Sequence, residues 1–133
     1  MSAENVEVLK RLEAAWNSGD LNAFLHLWDE HAVWVPVPDH PDPQPLVGRE
    51  GVMSFAEQWM EPWDDYEVAT ERFEEVGDTI VWCTRQTGRR RDSGKGFEVS
   101  MAAVCSFRQG RVAQIQWFWD RADALAAVGG ADG

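Results

Sequence analysis

His31 and His40 are the first residues in this sequence that could move a proton, because a neutral imidazole accepts one near pH 7 and both flank the same short strand-like segment. They are candidates for a general base. His26 lies between Leu25 and Leu27 in a helical stretch and reads as structural or exposed. Asp39-His40-Pro41-Asp42 has the residue types of a metal cluster, yet three ligands packed into a proline-stiffened loop rarely close a tetrahedron without a distant fourth. No other His or Cys spacing offers that fourth ligand, so no metal is expected. Cys83 and Cys105 are the only cysteines, neither a disulfide framework nor a zinc motif. Their numbers would set them nearly opposite each other across a hairpin centred near residue 94; small buried thiols are the simpler reading, a redox pair the other. Arg89-Arg90-Arg91 reads as a solvated turn. The chain carries no glycine-rich phosphate cradle, no nucleophile triad in context and no cofactor fingerprint, so no cofactor is expected.

Eight Trp against one Tyr is the unusual number. Indole is large and apolar with a single donor, so eight of them in a small chain imply either an aromatic-walled cavity or a bulky core. Their positions decide what they could wall. Trp16 and Trp59 fall on the apolar stripes of helical segments, Trp34 on a strand, Trp82 on a later strand, and Trp117 and Trp119 on one parity of the last strand. For any single Trp ordinary core is the plain reading. Together Trp16, Trp34, Trp59, Trp117 and Trp119, with Met101 on the inward parity of its strand, would leave flat slots for a planar or polycyclic hydrophobic molecule.

The elements that would position these rings follow from periodicity. Val8, Leu9, Leu12, Ala15 and Trp16 form the stripe of a helix over 4–18, which Gly19 ends. Asp20 caps a second short helix bearing Leu21, Phe24, Leu25 and Trp28. Ala32 to Val37 reads as a strand. Five of the six prolines then fall between Pro36 and Pro45, which predicts a stiff, extended surface loop of the kind that often covers a pocket. Gly48 opens a third helix with Val52, Phe55, Ala56, Trp59 and Met60 on one face, closed by Pro62. From Tyr66 the period is two: strands run to the Gly77-Asp78 turn, over Thr79 to Thr87, over Phe97 to Arg108 and, after Gln109-Gly110, over Arg111 to Trp119. Asp120 starts a helix through Val128, stopped by Gly129-Gly130. Helices first and a strand meander second describe an α+β fold: a cone-shaped, curved antiparallel sheet wrapped around the N-terminal helices.

The 133 residues suit one domain, with its core at about 4–130. Twelve basic against 23 acidic residues give a net charge of −11, which repels phosphate backbones and anionic headgroups, so neither nucleic acid nor membrane is expected as a partner. No apolar run is long enough to span a bilayer, and Met1 to Glu7 lack a basic flank leading into an apolar stretch, which predicts a cytoplasmic protein.

Trp16-Asn17-Ser18-Gly19-Asp20, Leu27-Trp28-Asp29, His31-Ala32-Val33-Trp34, Gly48-Arg49-Glu50-Gly51, the Gly77-Asp78 and Gly110-Arg111 turns and Trp119-Asp120-Arg121-Ala122 together resemble SnoaL-like members of the nuclear transport factor 2-like superfamily, over about residues 4–130. The resemblance implies a cone with a deep apolar pocket between the sheet and the first and third helices, in a homodimer packed through the sheet. It does not fix one reaction. A ketosteroid-isomerase base would fall where Val33-Trp34-Val35-Pro36 stand, and the first helix has no phenol. An epoxide-hydrolase arrangement would use Arg85, but Thr87 occupies the place of its acid and Trp117 that of the second. Asp120 matches the region where SnoaL-like cyclases carry an acid/base carboxylate, although with Asp123 it also fits a helix cap. The expectation is therefore a SnoaL-like domain binding a small hydrophobic molecule, with Asp120, His31, His40 and Arg85 as polar candidates for cofactor-free acid/base chemistry. The alternative is a non-catalytic dimeric module whose indoles fill its own cone.

Overall fold

A computed structural model describes residues 2–39 and 44–130. Helix α1 (Ser2–Ser18) ends at Gly19, whose φ of 75° only glycine adopts without strain. Gly19 N donates to Trp16 O (3.1 Å) and Asp20 N to Ala15 O (3.0 Å), closing the helix in a Schellman-type turn. Asp20 then accepts from Ala23 N at 3.0 Å and caps α2 (Leu21–His26). The second helix is shorter than its apolar spacing suggests. Val112 N donates to Leu27 O (2.9 Å), so pairing with the last strand takes over the chain there, and Trp28 opens strand β1 (Trp28–Val35) instead of closing the helix. Trp28 is fully buried all the same.

The two-residue strand β2 (Leu46–Val47) leads into α3 (Gly48–Met60). Arg49 fixes this helix to β1 by donating Nε and Nη2 to Trp28 O at 3.0 and 2.8 Å. Strands β3 (Trp63–Val76), β4 (Thr79–Arg90), β5 (Gly96–Arg108) and β6 (Arg111–Phe118) follow as a meander, and α4 (Arg121–Gly130) ends the described chain. The sheet order is β2-β1-β6-β5-β4-β3. Every neighbour pair is antiparallel except β1 and β6, which run parallel. The architecture is α+β, with a curved, unclosed sheet. Among the described residues no helix is long and apolar enough to cross a membrane.

Register assigns the two faces. β4 and β5 pair without interruption from Ile80↔Cys105 to Arg89↔Gly96, so Ile80, Trp82, Thr84 and Gln86 share the inner face with Met101, Ala103 and Cys105. A bulge in β3 between Thr70 and Arg72 shifts its parity, which puts Phe73 opposite Trp82 on that same face. The inner face packs with α1, α2 and α3 into the main core. The outer face carries a smaller cluster, Val81, Cys83, Ala102 and Phe118, covered by Ala124, Leu125 and Val128 of α4. Ala102 of β5 and Phe118 of β6, which face outward, are thus covered by the chain's own last helix. Arg121 holds that helix down through Glu74, with Nε at 3.0 Å from both carboxylate oxygens.

The register also separates the cysteines. Cys83 pairs with Ala102 and Cys105 with Ile80, three residues apart along the ladder and on opposite faces, so the pair is not set for a disulfide. Burial pushes both thiols up. The arginine triplet is exposed, as expected, and carries surface pairs: Arg89 meets Asp65 at 2.9 Å, Arg90 meets Asp92 at 3.0 Å and lies over Trp63, and Arg91 meets Asp64 at 3.1 Å.

Candidate functional site

Side chains from both helical and sheet layers leave a hollow of about 190 Å3 between them. Leu12, Glu13 and Trp16 of α1, Phe24 of α2, and Phe55 and Trp59 of α3 form one side. Trp34, Trp82, Gln86, Met101, Ile115 and Trp117 rise from the sheet on the other, and Pro36, Val37, Asp39 and Trp119 border it beyond the ends of β1 and β6. The rings brace one another. Trp34 lies 5.5 Å from Trp28, 4.8 Å from Phe55 and 6.1 Å from Trp117, and Trp117 lies 5.9 Å from Trp82. Tilted and stacked pairs at these separations hold better than isolated rings, so the wall is a connected aromatic framework.

Polar groups are few, and two bonded chains place most of them. Trp82 Nε1 donates to Thr70 Oγ1 at 2.8 Å, and Thr70 Oγ1 donates in turn to Glu13 Oε1 at 2.9 Å. This fixes a carboxyl at the cavity wall. In the second chain the Tyr66 hydroxyl donates to Gln86 Oε1, Gln86 Nε2 donates to Thr84 Oγ1 at 3.1 Å, and Thr84 Oγ1 donates to Met101 O at 3.0 Å. Burial pushes the Tyr66 phenol up to about 12, with a hydrogen bond from Trp59 opposing the shift. At the rim Trp119 Nε1 donates to Asp39 Oδ1 at 2.7 Å, tying the chain just after β1 to the end of β6. Asn17 secures α1 over the sheet by donating to Val68 O and accepting from Val68 N, both at 2.8 Å, as a neighbouring strand would.

The residues named from sequence divide into two groups. Trp16, Trp34, Trp59, Met101, Trp117 and Trp119 all line the hollow. Asp120, His31 and Arg85 are all exposed and none borders it. Asp120 Oδ1 accepts from Asp123 N at 2.8 Å and caps α4. His31 Nε2 lies 3.6 Å from Glu30, and Arg85 points from the outer face towards Glu71 and Glu98 at 3.4 and 3.7 Å. His40 and Asp42 lie outside the described residues. Sequence reasoning did not find Glu13, Asp39 and Gln86 as cavity residues. Gln86 had a signal, the alternate-residue row Ile80, Trp82, Thr84, Gln86; Glu13 had a weaker one, its place three residues before Trp16 on the margin of the α1 stripe. Among the described residues no three His, Cys, Asp or Glu side chains are grouped to hold a metal ion.

Residues 9–115 match the family described as the SnoaL-like domain. The chain belongs to that family. Comparison with curated proteins finds no match. Solved structures resemble this SnoaL-like chain at identities that establish the fold alone. IdmH from Streptomyces antibioticus, described as a candidate polyketide cyclase, is 23% identical over 94% of this chain and 98% of its own, with a TM-score of 0.76. A protein with a ketosteroid isomerase-like fold from Catenulispora acidiphila, in complex with trimethylamine, is 20% identical over 92% of each chain, with a TM-score of 0.75. TerC, co-crystallised with polyporic acid, is 16% identical over 94% of this chain and 97% of its own, with a TM-score of 0.77.

Proposed function

We propose that this SnoaL-like protein binds a compact, apolar-bodied small molecule in its cone, against Trp16, Trp34, Trp59, Met101, Trp117 and Trp119. One observation carries the reading: despite eight tryptophans, a hollow of about 190 Å3 remains where helices and sheet meet. Its size constrains the guest. A dry cavity of roughly 150 Å3 accepts benzene, so one ring or a fused pair suits this volume and a larger polycycle needs the rim to move. The small-molecule complexes of two fold neighbours support a ligand role. The open volume also favours this reading over a cone filled by its own indoles. Titration with a panel of one- and two-ring compounds, followed by tryptophan fluorescence and thermal shift, tests it. Saturable quenching with a raised Tm is expected; a panel that leaves both unchanged overturns it.

Proton transfer at the same site is a second reading, favoured by the Trp82–Thr70–Glu13 chain that holds one oxygen of a cavity carboxyl. A suitable test is deuterium uptake from solvent α to the carbonyl of 1-indanone. Uptake faster than in buffer and lost in Glu13→Gln supports it; uptake at the buffer rate does not. A homodimer is proposed on the family resemblance alone, and sedimentation as a 15.1 kDa species at micromolar concentration would overturn that.

A further inference from the structure

Glu13 and Asp39 bring two carboxyl groups to the cavity wall, and among the described residues no Lys, Arg or His joins them. They reach it from different elements, Glu13 on α1 and Asp39 in the segment after β1. Among the described residues each is oriented by one neutral donor, Thr70 for Glu13 and Trp119 for Asp39. Neutral donors steer a carboxylate without cancelling its charge. Among the described residues neither has an ion-pair partner, in contrast to Glu71, Glu74 and Glu98 on the outer face.

The indoles reinforce the same preference. Trp16, Trp34 and Trp117 line the hollow, yet their Nε1 atoms are buried away from open space and have no acceptor among the described residues. The N–H edge is the most electropositive part of an indole, and here it is turned from the cavity. Trp82 and Trp119 direct their N–H groups to Thr70 and Asp39. What the rings offer a guest is therefore carbon surface, whose faces carry negative quadrupole density and attract cations. Among the described residues an anionic or carbonyl-rich guest would find little but the Gln86 amide to donate to it, opposite two carboxyl groups. The net charge of −11 adds a field that draws cations to the molecule.

We propose that the cavity selects a positively charged organic guest, a tertiary or quaternary ammonium on a small apolar or single-ring body. This rests on the reading of the cone as a ligand site and specifies the charge of the ligand. Phenyltrimethylammonium and its neutral isostere tert-butylbenzene differ only by nitrogen for carbon at the branch point, so they separate charge from shape. Isothermal titration calorimetry of both against the full chain, and against Glu13→Gln and Asp39→Asn, is the test. The cation is expected to bind at least about tenfold tighter than the isostere, and each variant to lose a large part of that preference while leaving tert-butylbenzene within about twofold; tenfold corresponds to about 1.4 kcal/mol. Equal binding of the two, or tighter binding of the isostere, overturns the charge assignment and leaves the cavity as an apolar site. A preference that survives in both variants overturns the role given to the two carboxyl groups. Binding of neither compound to protein with an unchanged melting curve overturns the ligand-site reading and this proposal with it. Should one variant fail to fold, the other gives the same comparison, because the two carboxyl groups sit on separate elements.

Discussion

Tyr66→Phe should flatten the alkaline limb of the stability curve. The phenol is 5% exposed and its hydroxyl donates to Gln86, so its anion would sit in a poorly solvated position. Burial moves its pKa from 10.0 to about 12. The folded protein therefore keeps this proton where the unfolded chain has already lost it. Its stabilising contribution is complete below pH 10 and is lost as the pH rises from there through about 12. At 1.36 kcal/mol per unit the full effect is about 2–3 kcal/mol, of which about 2 kcal/mol is gone by pH 11.5. The assay is urea unfolding of wild type and Tyr66→Phe at intervals from pH 8 to 11.5. At pH 8 the variant should be weaker by about 1 kcal/mol for the lost hydrogen bond, with a further cost if Gln86 finds no replacement donor. That deficit should then shrink, and reverse if it starts below about 2 kcal/mol. Cys83 and Cys105, also raised by burial, are present in both proteins and cancel in the difference. A gap that stays constant or widens over this range would refute the assignment of a buried, proton-retaining phenol beneath the cavity.

Three other perturbations test neighbouring parts of the structure. Thr70→Val keeps the shape but strands Trp82 Nε1 and Glu13 Oε1, so denaturant titration should show a loss of about 1–3 kcal/mol, and a loss below about 0.5 kcal/mol would contradict the chain of bonds. Gly88→Ala would place a Cβ 2.7 Å from Phe97 Cε1, in a ring that also packs on Trp63 and Tyr66, and over-packing of this kind costs about 1–3 kcal/mol; an unchanged melting temperature would show that Phe97 yields freely. Glu74 is held below its ordinary carboxylate value chiefly by its hydrogen bond with Arg121, so its contribution is present above about 4.5 and is lost as the pH falls through the lowered folded value. Amide exchange over Ala124–Val128 should accordingly speed up in acid, after correction for intrinsic rates. Arg121→Gln should remove the acid dependence, and an α4 whose protection ignores both changes would count against the clamp.

The aromatic side of the cavity was legible because period and parity survive folding. The 3.6-residue stripes of α1 and α3 put Trp16 and Trp59 inward whatever the loops do, and the alternation of β6 puts Trp117 and Trp119 together. The polar side was not legible, because it depends on register and on which margin of a stripe meets the sheet. The bulge in β3 decides that Phe73 as well as Thr70 faces inward, and no residue there announces it. Glu13 on the margin of its helix reads as solvated until β3 presents Thr70 to it. Trp28 fitted the α2 stripe because its spacing is helical, but a long-range bond from Val112 to Leu27 outweighs local periodicity. The two-residue strand β2 is too short to leave any pattern. Hairpin register, read from the midpoint of the polar tip, was off by enough to place Cys83 and Cys105 as neighbours when they occupy opposite faces.

Diffraction from crystals held under xenon pressure tests the central claim most directly, since xenon enters apolar space of this size without needing any particular chemistry. The account predicts an anomalous peak inside the cone, bounded by Trp34, Met101 and Trp117. Those side chains closed against one another, with no xenon between them, would contradict it.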